Sequence, residues 1–285
     1  MTNEDKINIV NSATIIPIEN GEDGKARIIL QQRYAVDLFK STPEGVEQYL
    51  SHMSHIRKGE AMPPFLREIE GLQVMKFAGE YAAFGGRLEK GETIEQAARR
   101  EFMEETGLEK KIDIYNFSSA IKDTPVRGGK PARRYNIGYN VLFNDENNGL
   151  VDAGSIDSMA KGKEEALFSA YENGILDIRR ITVTEGGKER KVTGYFVKGK
   201  QIESPEIAGA VSMSLQDAVS VMEGEGFVDK YPSHQAVHLT SLGLDRERAT
   251  ATLAQIKKLD EIEKASGSYE KFKAGVVAAG KNKSY

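Results

Sequence analysis

A chain of 285 residues, 39% hydrophobic and 29% charged, has the composition of a soluble globular protein with room for one large or two modest domains. A net charge of −4 with acids and bases interspersed argues against a nucleic-acid partner, and no apolar run reaches the roughly 18 residues of a membrane span. The absence of cysteine excludes disulfides, thiolate metal sites and a cysteine nucleophile; with a polar Met1–Lys6 and no apolar stretch after it, it leads us to expect a cytoplasmic protein without a signal peptide.

Taken in order, Ser12–Glu19 and Ala26–Arg33 read as strands, joined by a turn over Asn20–Lys25 with its two glycines and two acids. Thr42–Lys58 reads as a helix with Pro43 in its first turn, ended by Pro63-Pro64. His52 and His55 fall on that helix three apart; two imidazoles without a third ligand read as surface or packing residues. Leu72–Phe77 and Glu80–Phe84 read as further strands.

The next stretch, Gly86–Leu108, carries the chemistry. Thr93 and Gln96 form a capping-box pair, which starts a helix near Ile94, and Thr106-Gly107 ends it. Ile94, Ala97, Ala98 and Phe102 share one helical face, which predicts burial, whereas Glu101, Glu104 and Glu105 crowd another. Three adjacent carboxylates repel one another unless a cation stands among them, and hard oxygen donors suit Mg²⁺, with Mn²⁺ as the substitute. A Glu-rich face alone is most often only solvated. Here it comes with Glu92 six residues after Gly86, Arg100 directly before Glu101, and Gly107-Leu108 closing the pattern G-x5-E-x7-R-E-U-x-E-E-x-G-U, where U is bulky and apolar. All nine fixed positions are filled.

This stretch resembles the box of the Nudix hydrolases. The resemblance implies an α/β fold, a mixed sheet between helices, and a metal-dependent enzyme whose water attacks a phosphorus of a nucleoside diphosphate linked to another group. It implies Glu101, Glu104 and Glu105, with the Gly86 backbone, as metal site; Glu104 and Glu105, with Arg100, as catalytic residues; Gly86 as a substrate-binding position whose backbone also approaches the diphosphate; and Glu92–Arg100 as an ion pair bracing loop against helix. The strand ending at Arg33 is similar to one that carries an arginine near the substrate in this family.

After the box, Ile112–Ala120 and Asn136–Asn144 read as strands flanking a loop with Pro125, Arg127, Lys130, Arg133 and Arg134. That loop resembles the Asp-x-Pro-x-Arg pattern of members acting on ADP-ribose, which makes Arg127 and Arg133 substrate-binding candidates. Residues 145–200 fall outside the minimal pattern: a helix over Lys163–Asn173 and a hairpin of Ile178–Thr184 and Arg190–Val197 read as an inserted α+β subdomain, dividing the chain into 11–144 with 201–242, 145–200, and 243–285. Ile207–Met213 reads as a strand, Ser214–Met222, Ser233–Leu242 and Asp245–Lys264 as helices; the last, amphipathic through Leu253, Ile256, Leu259 and Ile262, predicts packing or homodimer surface. In the ADP-ribose pyrophosphatases that the chain resembles, the general base can be a glutamate on a mobile loop before the late strand. Pro205 keeps Ile202–Ile207 out of a helix, and Glu206 is the candidate there, Glu203 the alternative, with Glu104 or Glu105 the competing choice. The expected reaction is Mg²⁺-dependent hydrolysis of ADP-ribose or a related nucleotide sugar to AMP and a sugar phosphate. NADH, dinucleoside polyphosphates and nucleoside triphosphates are the rival substrates, and a non-catalytic nucleotide-sensing regulator is the rival class.

Overall fold

The computed structural model describes residues 7–34, 36–58, 68–75, 81–108, 112–124, 132–144, 151–185, 188–223 and 249–281. Strand β1 (Asn8–Asn20) turns tightly through Gly21 into β2 (Ala26–Arg33), with Ile18 opposite Ile28. Beyond that end the two strands part. The gap is filled by one short stretch of chain: β3 (Tyr81–Ala82) pairs with β2, and β4 (Phe84–Arg87) pairs with β1. Strands β5 (Tyr115–Thr124), β6 (Arg133–Phe143) and β10 (Ile207–Ser214) complete a sheet of seven strands with the main order β10-β2-β1-β6-β5. Among the described strands only β1 and β6 run parallel, in register from Asn8↔Arg133 to Ile18↔Phe143.

Strand residues alternate between two apolar faces. Ile16, Ile18, Ile28, Leu30, Tyr139, Val141 and Phe143 bury one face beneath helices α4 (Leu215–Glu223), α5 (Ala249–Ser266) and α6 (Tyr269–Lys281). Ala13, Ile15, Ile29, Phe84 and Leu142 bury the other beneath α2 (Ile94–Thr106) and the first half of α3 (Ala153–Glu172). The architecture is therefore the expected mixed sheet between helices. A third cluster joins α1 (Pro43–Arg57), the second half of α3 and a separate antiparallel sheet of β7 (Leu176–Glu185), β8 (Lys188–Val197) and β9 (Lys200–Ile202).

Several elements differ from expectation. Helix α3 starts at Ala153, ten residues before the predicted Lys163, capped by Asp152 accepting from the Ser155 N–H at 2.8 Å. Gly154 and Gly162 weaken its sequence signal, and burial of Ile156 and Ala160 against the sheet compensates. Strand β5 is shifted toward its C-terminus, and among the described residues of Leu72–Phe77 only Val74 pairs, in an isolated bridge with Val36. The apolar seam of α5 is used within the molecule, Ile256 and Leu259 being fully buried. Helix α6 follows it, with Tyr269, Phe272 and Val276 buried at helical spacing. Pro63-Pro64 and the predicted helix at 233–242 lie outside the described residues. No described helix is long and apolar enough to cross a membrane.

Candidate active site where the first two strands part

Two glycines let the strand β4 and the helix α2 approach the gap between β1 and β2. Gly85 has φ 139°, and a Cβ there would lie 2.2 Å from the Ala13 carbonyl oxygen, so only glycine permits this approach to β1. A Cβ on Gly86 would lie 2.2 Å from Glu101 Oε2: the Glu101 carboxylate rests directly on the Gly86 backbone. Helix α2 is aimed there by the reciprocal Thr93/Gln96 capping box, by Phe102 packed edge-on to Phe84 at 5.0 Å, and by a left-handed Gly107 (φ 70°) that ends it.

The three carboxylates on α2 have different surroundings. Glu105 turns inward, its Oε2 accepting from the Gly85 N–H at 2.9 Å and its Oε1 from Gln31 Nε2 at 3.0 Å. Burial drives its pKa up to about 8, against the pull of those two donors and of the Arg33 charge, and the charge of Glu206 adds to the rise. Glu101 is also raised, by burial first, with the Arg100 guanidinium opposing. Glu104 is half exposed and accepts from Arg100 Nη1 at 3.0 Å. Arg100 is the hub of the outer side: it grips Glu92 through Nε and Nη2 at 2.8 and 3.0 Å, Glu101 at 2.9 Å, and the Arg87 carbonyl at 2.9 Å. That grip holds the Glu92 carboxyl below its usual range and raises the guanidinium further.

Glu105 opens on a cavity of about 250 Å³ whose described walls include Gln31 and Arg33 of β2, residues 36–40, Met75 and Ser204–Glu206. Arg33 lies opposite Ile207 in register, and the Tyr34 N–H donates to the Glu206 carbonyl, so the end of β2 carries both the arginine and the loop glutamate. Glu206 has a pKa raised to about 7, by burial first; Lys163 pulls it down, while Glu104, Glu101 and Asp37 push it up. Protein packs closely around this carboxylate although the residue as a whole is exposed. Water therefore screens part of the effect. Glu203, the alternative on the same loop, points to Lys163 of α3 at 2.7 Å and stays largely in solvent.

The predicted site residues thus fall into four groups. Glu105, Glu206 and Arg33 share the cavity; Glu101, Glu104, Arg100 and Gly86 adjoin it along α2 and β4. Arg133 does not join them: it pairs with Asn8, five residues along β6 from Gly138, or about 16 Å at 3.3 Å per residue. Pro125, Arg127 and Lys130 lie outside the described residues. Two participants carried weaker signals. Gln31 is a polar residue at the end of the apolar run of β2, and Lys163 faces the loop from the middle of α3, where spacing alone does not mark it.

Hard oxygen donors are the right chemistry for a divalent cation. The described residues contain no ready group of three ligands: Arg100 holds Glu101 and Glu104, and donors occupy Glu105. One observation favours a further polar occupant. The Gln31 Oε1 is buried without a hydrogen-bond partner beside Glu105, on the cavity wall.

Residues 67–166 match the family model described as the NUDIX domain. A 31-residue stretch is 64% identical to the oxidized purine nucleoside triphosphate hydrolase of Danio rerio, covering 11% of this chain and 20% of that protein. The chain thus spans about a fifth of the length of this curated relative. Among solved structures, a mutT/nudix family protein from Listeria innocua covers 75% of this chain and 84% of its own at 15% identity, TM-score 0.35. The NUDIX domain of Shewanella oneidensis NrtR, solved with ADP ribose, covers 77% and 82% at 9% identity, TM-score 0.33. An Ap4A hydrolase from C. elegans covers 86% and 98% at 13% identity, TM-score 0.30. Likenesses this loose carry no argument of their own.

Proposed function

We propose, from the match of residues 67–166 to the NUDIX domain model, that the chain hydrolyses the diphosphate bond of a nucleoside diphosphate linked to a second group, ADP-ribose or a related nucleotide sugar first. The observation that carries this reading is the convergence of Glu105, Glu206 and Arg33 on one cavity, beside a glycine loop that takes the Glu101 carboxylate against its backbone.

In this reading a water oxygen forms a bond to one phosphorus, the bridging P–O bond breaks, and AMP leaves with a sugar phosphate. Glu206 accepts the water proton; its raised pKa keeps it a useful base near neutrality, where an ordinary carboxylate is too weak. Arg33 sits where it can balance charge on the diphosphate, and Gly86 allows close approach of the backbone. Arg100 keeps α2 and the loop in register through Glu92. Glu101, Glu104, Glu105 and the Gly86 carbonyl are the groups that would hold Mg²⁺, or Mn²⁺, which supplies charge neutralisation and a lowered water pKa when bound. Binding there requires Glu101 and Glu104 to leave Arg100, whose remaining partners Glu92 and the Arg87 carbonyl hold it in place.

The test is a chromatographic panel of ADP-ribose, NADH, dinucleoside polyphosphates and nucleoside triphosphates, oxidised purines included, each with and without Mg²⁺. We expect kcat/KM for ADP-ribose within about tenfold of the best compound. A larger gap overturns the substrate, and no turnover of any compound overturns the reaction.

A further inference from the structure

The sheet β7–β9 stands apart from these carboxylates, yet both outer walls of the cavity are attached to it. One wall, residues 37–41, is hydrogen-bonded to β8 three times. The Thr193 N–H donates to the Phe39 carbonyl at 2.9 Å, Thr193 Oγ1 to the Ser41 carbonyl at 2.5 Å, and the Tyr195 hydroxyl to the Leu38 carbonyl at 2.6 Å. Thr193 and Tyr195 are 1% and 2% exposed, so water does not compete for these bonds. The other wall follows directly from β9: Tyr195 is in register with Ile202, two residues before Ser204. One strand therefore sets the separation of the two walls.

The first wall carries an unpaid-for feature in folding terms. Phe39 lines the cavity while 39% exposed, on backbone held by the Thr193 bond. An exposed aromatic ring on a fixed backbone gains nothing for the fold, and with only two side-chain torsions it loses little entropy when a flat partner covers it. Met75 and Pro205 add apolar surface to the same cavity, and Arg33 and Lys40 add positive charge. At about 250 Å³ the space falls just below the roughly 300 Å³ at which small-molecule sites begin, so it suits a mononucleotide-sized group rather than a whole nucleotide sugar. Flat, apolar on its faces and joined to an anion, a nucleobase with its phosphate matches that combination.

We propose that Phe39 is the stacking platform for the base of a nucleotide, and that the β7–β9 sheet is the specificity element that positions it, through Thr193 and Tyr195. The proposal rests on the nucleotide reading above and adds to it a role for residues 176–202.

The test is calorimetric titration of the full chain with AMP and with ribose 5-phosphate, which lacks the base. Phe39→Ala, a change at an exposed ring, should weaken AMP about fivefold or more and leave ribose 5-phosphate within about twofold. Phe39→Tyr, which keeps the ring, should restore AMP. Tyr195→Phe keeps the core filled but deletes the bond to Leu38, and should weaken AMP about threefold or more with ribose 5-phosphate unchanged. A lowered Tm in Tyr195→Phe with the AMP affinity intact would make that tyrosine merely structural and overturn its positioning role. Equal losses for both ligands in Phe39→Ala, an unchanged AMP affinity, or no AMP binding by the wild type would overturn the platform. Base-dependent binding without turnover of any compound would instead sink the hydrolase and leave the platform standing.

Discussion

Glu105 and Glu206 face one cavity from different elements, and their ionisation sets the pH behaviour. Glu206 with a pKa near 7 is ionised above that pH and neutral below it. A base must be ionised, so kcat should fall about tenfold per unit as pH drops below 7, and Glu206→Gln should lower kcat roughly 10²- to 10⁴-fold while erasing that limb. A fivefold or smaller effect in Glu206→Gln and in Glu203→Gln would return the role to Glu104 or Glu105. The same shifts bear on stability. A carboxyl whose pKa is raised on folding stabilises the fold below its unfolded value of about 4.5 and loses that contribution as pH rises through the folded value, about 8 for Glu105. The Tm of EDTA-treated protein should therefore decline between pH 5 and pH 9, and a Tm that rises across this window would contradict the burial of Glu105. Arg100→Met removes the shared partner of Glu92, Glu101 and Glu104 and should cost about 2 kcal/mol, read by chemical denaturation.

Elements were legible in proportion to their periodicity and caps. β2, α1, α2, β10 and α4 lie within a residue or two of expectation because their apolar spacing and their Thr42, Thr93 and Ser214 caps agree. What sequence could not show was tertiary compensation: α3 runs through two glycines because the sheet buries one of its faces, and α6 ends the described chain on three buried side chains. The box itself was read from spacing alone. Its partners on other elements, Gln31, Lys163 and the loop at 36–40, required the fold to bring them near. At this scale Gly85→Ala is the sharpest probe. Its φ of 139° and the Ala13 carbonyl leave no room for a methyl group, so β4 must shift and the Gly85 N–H must leave Glu105. We expect at least a 10²-fold loss of kcat with the helical circular dichroism largely kept; near-wild-type turnover would show the loop to be less constrained than its geometry. Thr93→Ala tests the helix cap alone and should cost about 1 kcal/mol.

Over the whole molecule, the seven-stranded sheet supplies the splayed strands and α2 the acids, and the β7–β9 sheet holds one outer wall and leads into the other. In the proposed function the reaction class is set where these meet, while the choice of nucleotide belongs to loops that the box does not specify. Chelation with EDTA should abolish turnover, and Mg²⁺, or Mn²⁺ in its place, should restore it; metal-independent turnover would remove the role assigned to Glu101, Glu104 and Glu105. The most direct measurement of the central claim is AMP release from ADP-ribose with Mg²⁺ under single-turnover conditions, comparing wild type with Glu105→Gln. The account predicts one equivalent of AMP per wild-type site and a rate lowered by about 10² or more in the folded variant. Equal rates in the two proteins would contradict it.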